Sequence, residues 1–193
     1  SSIKNVNSLF YLAQKQGDAV GLLALSGEAP LQVSAFGGER HWQKILLALT
    51  QIKASGRFPD TQAILAQLSA VRKNGLIVVI SDFHQLNNEL FGLTAKLSHR
   101  HSDVVAFHLD SDDEINFPYQ GLIQFQDLET GEQLEVSAKQ VKADYLNNKK
   151  RADNNIKVQL AAQNIQYVHA NIDQALDQTL VDFLSVRARG RSQ

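Results

Sequence analysis

Gly75–His84 reads GLIVVISDFH, and the fold turns on this stretch. Its four consecutive branched residues, Ile77, Val78, Val79 and Ile80, are too short a run for a buried helix. Opened by Gly75 and closed by polar residues, they read as a strand covered on both faces, the central strand of the chain. Such strands belong to parallel sheets wrapped by helices, and ligands collect beyond their carboxyl ends. Ser81 and Asp82 stand at that end, so chemistry is sought there first.

Upstream, Ala19–Leu25 (AVGLLAL) is a second nearly continuous apolar run and reads as another buried strand. Leu31, Val33 and Ala35 alternate with Gln32 and Ser34, the pattern of an antiparallel edge strand joined to its predecessor by a short loop. Trp42, Ile45, Leu46, Leu49 and Ile52 trace one helical face. Asp60 is placed to cap a helix that buries Ile64, Leu65, Leu68 and Val71. Before these, Val6, Leu9, Phe10 and Ala13 share a helical face that ends at Gly17-Asp18.

Downstream, Asn87 or Asn88 is placed to cap a helix carrying Leu90, Leu93 and Leu97, and Asp103–Leu109 (DVVAFHL) is the next strand. Asp110–Tyr119 reads as a polar, acidic connection. Leu122–Phe125 and Glu132–Val136 form a hairpin around Glu129-Thr130-Gly131. A long helix follows Ser137 to about Gln163; its middle, Asn147–Asn155, is nearly all polar and is expected to stand off the core. Ile165–His169 is a last strand, and Leu176, Leu180, Phe183 and Leu184 line a final helix before a basic tail. This alternation predicts an α/β fold: a doubly wound, mostly parallel sheet with one antiparallel edge strand and an inserted β-hairpin.

The chain has 193 residues, 44% hydrophobic and 20% charged, with a formal net charge of -1. That balance gives no electrostatic case for nucleic acid or an anionic membrane. With no cysteine, disulfides, thiolate nucleophiles and cysteine-ligated zinc are excluded. No apolar stretch approaches the ~20 residues that span a bilayer, and no signal peptide is visible.

QGDAVGLLAL, VVISDF, RHSDVVAFHLDSDDEINFP and a hairpin closing in DLETGE before a long helix, in this order, resemble the bacterial von Willebrand factor A-like family catalogued as domain of unknown function fifty-eight. The resemblance covers essentially the whole chain as one domain. It implies a protein-interaction role beside MoxR-type AAA+ ATPases, in chaperone-like or assembly work. It also implies a cytoplasmic domain that an upstream segment can anchor to a membrane. Von Willebrand A domains hold Mg²⁺ or Mn²⁺ at the top of the sheet with hydroxyl and carboxylate oxygens. By position, Asp82 matches the carboxylate after the fourth strand, and Thr61, in FPDTQAI, matches the threonine from an earlier loop. The Asp-x-Ser-x-Ser loop has no counterpart in this sequence. The expectation is therefore a domain without its first strand and main ligand loop, an incomplete metal-ion-dependent adhesion site, and no tight metal binding by this chain alone. The absent strand belongs between Val20–Leu25 and Ile77–Ile80.

Residue by residue, simpler readings stand beside these. An Asp directly after a strand is commonly a turn or cap residue, and Thr61 follows its cap Asp60 as a first-turn residue. Asp110, Asp112, Asp113 and Glu114 lack the glycine and distant Glu of a calcium loop, so they read as a solvated acidic loop. His84, His108 and His169 are isolated in sequence and carry no zinc spacing. Two functional classes follow: a non-enzymatic interaction module meeting a partner around Asp82, and a metal-dependent hydrolase using Asp82 with Asp110 or His84 as ligand or base. No base–nucleophile pair or metal triad has recognisable spacing, which favours the module.

Overall fold

A computed structural model of the chain describes residues 13, 17–25, 30–52, 58–68, 75–84, 89–100, 103–126 and 133–173. The expected first helix, apart from Ala13, the Asn87/Asn88 cap, the hairpin turn and the final helix with its basic tail lie outside these residues.

Branched, apolar runs form the strands. Leu76–Ser81 (β3) pairs in parallel with Asp103–Asp110 (β4), which pairs in parallel with Gln166–Asn171 (β7), giving the order β3-β4-β7. Val20–Ala24 (β1) and Leu31–Phe36 (β2) form an antiparallel pair, and Leu122–Gln126 (β5) and Gln133–Ser137 (β6) form the expected hairpin. The described helices are Glu39–Gln51 (α1), Thr61–Gln67 (α2), Glu89–Arg100 (α3), Asp112–Asn116 (α4) and Ala138–Ala162 (α5). No described helix is long and apolar enough to cross a membrane. The chain is an α/β protein with a parallel sheet and small antiparallel hairpins.

Among the described strands the middle position belongs to β4 rather than β3, although β3 also packs on both faces, Ile77 and Val79 on one core and Leu76 and Val78 on the other. Val104, Val105, Ala106, Phe107 and His108 are all buried, whereas β3 is only half-buried and Ile80 is exposed. The physical reason is position: β4 has a strand on each side, while β3 is an edge of the described sheet. Alternation along β4 feeds two cores. Val104 and Ala106 pack with Ile64 and Leu65 of α2, Leu90, Phe91, Leu93 and Leu97 of α3, and Ile156 and Leu160 of α5. Val105 and Phe107 pack on the opposite face with Ala170 of β7.

Strand β1 is likewise half-buried rather than buried, but it does have two packed faces. Leu23 joins the large core that also takes Ile77 and Val79, while Val20 and Leu22 face Ile45 and Leu49 of α1. Although β1 and β3 border one core, no ladder joins them among the described residues. They do not close directly on each other.

Between Val20↔Phe36 and Leu22↔Val33 the register slips, so Gly21 faces both Ser34 and Ala35 in a bulge. A Cβ at Gly21 would lie 2.9 Å from the Ala35 amide nitrogen and 3.0 Å from the Val33 oxygen. Both are backbone atoms and cannot rotate away. Gly21→Ala is expected to cost about 1–3 kcal/mol, read as a lowered Tm; an unchanged Tm would contradict this packing.

Candidate functional site

Beyond the carboxyl ends of β3, β4 and β7 the sequence places two groups of charged side chains, one exposed and one buried. The exposed group follows β3. Ser81 Oγ accepts from the Phe83 amide at 3.0 Å, and Asp82 Oδ1 accepts from the His84 amide at 3.1 Å, two side-chain-to-backbone turns in succession. Phe83 sits in the left-handed region, φ 58. That reversal buries its ring against Phe91 and the edge of His108 while Asp82 and His84 stay in solvent. His84 Nδ1 lies 3.6 Å from Asp82 Oδ2, and both side chains are 57% exposed. The His84 side chain beside it, with the His84 amide, draws the Asp82 pKa down to about 2. The carboxylate in turn raises that of His84.

Asp82→Ala is expected to leave the thermal transition nearly unchanged, because an exposed turn carboxylate adds little to a core. The His84 titration, followed by NMR, should move down toward its ordinary value once its anionic neighbour is gone. Collapse of the fold, or an unmoved His84 titration, would contradict this geometry.

The buried group lies under Phe83. His108 and Asp110 are two apart on β4 and so share its face toward α5, and parallel register sets His108 beside His169 of β7. Asp110 is 1% exposed. Its Oδ2 accepts from His169 Nε2 at 2.6 Å and from Lys149 Nζ at 2.8 Å. Lys149 Nζ is also 2.8 Å from Oδ1, off the line of a hydrogen bond, and it donates to Asp153 one turn along α5. His108 Nδ1 lies 2.9 Å from the Tyr167 hydroxyl. Its Nε2 faces Asp110 Oδ1 at 3.7 Å, and neither atom has a hydrogen-bond partner.

Burial by itself would raise the Asp110 pKa, but the hydrogen bonds from His169 and Lys149 prevail and hold it well below the carboxylate range. Burial lowers the pKa of His108, favouring its neutral form. For Lys149 the burial penalty is outweighed by Asp110 and Asp153, and its pKa is raised. Tyr167 is pushed up to about 12, chiefly by burial. The group is thus a carboxylate clamped between an ammonium and an imidazole, with neutral His108 and Tyr167 alongside.

Asp110 does not belong to a solvated acidic loop: β4 runs through it and buries it. The DSDDE run continues as α4, with Ser111 as its cap; Ser111 Oγ accepts from the Glu114 amide while the Glu114 carboxylate accepts from the Ser111 amide. The polar middle of α5 does not stand wholly off the core, since Lys149 and Asp153 turn inward to Asp110. Asp60 caps α2, accepting from the Ala63 amide at 3.1 Å, which places Thr61 at the first helical position.

His108, Asp110 and His169 offer three ligand atoms within 4.8 Å of one another; neither Asp82 nor Thr61 belongs to that group. Two imidazoles and a carboxylate suit a zinc-like ion better than Mg²⁺ or Mn²⁺, which want oxygen. The Lys149 ammonium, close to both Asp110 oxygens, already stands where a cation would sit. That group therefore does not fit a Mg²⁺ or Mn²⁺ centre. Sequence spacing missed this cluster because its members lie on separate elements. The one legible signal was that both strands carry a histidine toward their carboxyl ends, where parallel strands align.

No curated protein and no solved structure matches the chain. The family model described as "Protein of unknown function DUF58" matches residues 3–155, a span that takes in Asp82, Asp110, Lys149 and Asp153. The chain belongs to the DUF58 family.

Proposed function

We propose that this domain is a non-enzymatic protein-interaction module whose sheet-top surface, around Asp82 and His84, meets a MoxR-type AAA+ ATPase in chaperone-like or assembly work. The observation that carries the reading is the division of charge at the sheet top. The exposed Asp82–His84 pair is available to a partner. The buried carboxylate beneath it is engaged by Lys149 and His169 and is not an open group. The choice of partner rests on the family resemblance. Asp82 and Thr61 offer this chain two oxygen donors toward a Mg²⁺ or Mn²⁺ site, fewer than such an ion takes. This chain alone should then show weak or no Mg²⁺ binding by calorimetric titration; tight binding would contradict the assignment.

The alternative is a metal-dependent hydrolase using Asp82. His84 beside it is what favours that reading, since a carboxylate–imidazole pair is a common general-base arrangement. Capture of a purified AAA+ ATPase by the full-length protein, with and without Mg²⁺, tests the proposal. Retention of the ATPase supports the module. Turnover in a broad hydrolase screen, lost on Asp82→Ala, would replace it with the enzyme.

A further inference from the structure

An open groove of about 830 Å³ is lined by β2, the Gly37-Gly38 turn and the first turns of α1. Strand β2 pairs only with β1 among the described strands, so its outer side presents backbone donors and acceptors that a further strand can use. At the end of β2, Phe36 is 70% exposed, its ring edge-on to His41. Phe36 thus offers an apolar contact beside a strand edge that no described strand covers.

Charge selects among possible occupants. Arg40 and Lys44 lie one turn apart on α1, are both exposed, and line the groove with Glu39 as its one acid. This patch is positive on a chain whose formal net charge is -1. His41 Nε2 is engaged with the Val20 carbonyl at 2.8 Å. The bulge at Ser34 and Ala35 interrupts regular pairing along β2. Backbone pairing is therefore short, and charge and the Phe36 contact must supply the rest of the recognition.

We infer that this groove docks an extended, acidic segment of a partner protein. The segment adds alongside β2 by backbone hydrogen bonds, rests an apolar side chain on Phe36, and sets a carboxylate between Arg40 and Lys44. This inference rests on the interaction-module reading and gives that reading a second surface, separate from Asp82, with a stated ligand chemistry.

The probe is a synthetic eight-residue peptide of alternating Val and Thr with adjacent Asp and Glu at one end, compared with the same peptide bearing Lys in place of both acids. Fluorescence anisotropy with the 193-residue chain should show saturable binding of the acidic peptide. Binding should fall on the order of ten-fold in the Arg40→Glu/Lys44→Glu variant, in Phe36→Ser, and for the basic peptide. Amide hydrogen exchange across Leu31–Phe36 should slow on peptide binding. All three substituted side chains are at the surface, so the thermal transition should stay in place.

Equal binding of both peptides, no binding, or binding unaffected by these variants would overturn the inference. So would concentration-dependent dimerisation of the unmodified chain abolished by Phe36→Ser, which would make a second copy the occupant. The module reading is separable. If the full-length protein binds the AAA+ ATPase while the acidic peptide fails to bind, the groove proposal fails and the module stands. If no ATPase binding occurs while the peptide still binds, the choice of partner fails and the groove stands.

Discussion

Val105→Asp is expected to unfold the domain outright. Val105 is fully buried at the middle of β4, with a hydrogen-bonded strand on each side and Phe107 and Ala170 packed beside it. A carboxylate there has no partner, and the cost is several kcal/mol, on the scale of a domain's whole stability of about 5–15 kcal/mol. The paired comparison is Val79→Asp in β3. Val79 packs on the large core but is half-buried, at an edge of the described sheet, so the new carboxylate is less completely desolvated than at Val105. A loss of about 2 kcal/mol with a cooperative transition retained is expected there. Circular dichroism melts of the two variants decide the matter. A folded Val105→Asp protein, or a Val79→Asp protein that is equally unfolded, would show that β4 is not the centre.

The second large effect concerns the buried ion cluster. Asp110→Ala leaves the Lys149 ammonium and His169 without their shared carboxylate. Lys149 keeps Asp153, so the loss should sit near ~3 kcal/mol, the lower end of the cost of breaking a buried pair. Lys149→Met should also destabilise, by leaving Asp110 with His169 as its remaining hydrogen-bond donor. The two changes together should cost less than their sum, because the double variant has neither uncompensated charge. Chemical denaturation of the singles and the double measures the coupling; strict additivity would mean the pair does not act as a unit.

The same cluster sets an acid limit. The pKa of Asp110 in the folded protein lies below its unfolded value, so its stabilisation is fully present above about pH 4. As pH falls toward the lower folded value, the unfolded chain takes up the proton first and that stabilisation is lost. Asp110→Ala should therefore flatten the fall of Tm below about pH 4.

The local elements were readable because their signals are local. IVVI, VVAFHL and the alternation of Leu31–Ala35 each carry their own period, and Asp60 announced the start of α2. Which strand lies at the centre was not readable. Ile77–Ile80 and Val104–Leu109 are comparably apolar, and only long-range pairing distinguishes an edge from a middle strand. The cap of α4 was available in Ser111-x-x-Glu114, a capping-box spacing masked by the neighbouring aspartates. The ion cluster needed the register itself: Asp110 meets His169 across 59 positions and Lys149 across 39. A lysine in a polar helical stretch is ordinarily solvated, so nothing in Asn147–Asn155 distinguished Lys149 from Lys150. Asp82, by contrast, stands out in sequence as the polar residue closing an apolar run, and the structure places it at the surface beside His84.

Calorimetric titration of the full-length protein with a purified MoxR-type AAA+ ATPase, wild type against Asp82→Ala, tests the central functional claim most directly. Saturable binding that weakens in the variant, with an unchanged thermal transition, is expected. No heat of binding to the ATPase from a correctly folded protein, together with hydrolase turnover that disappears in Asp82→Ala, would contradict it.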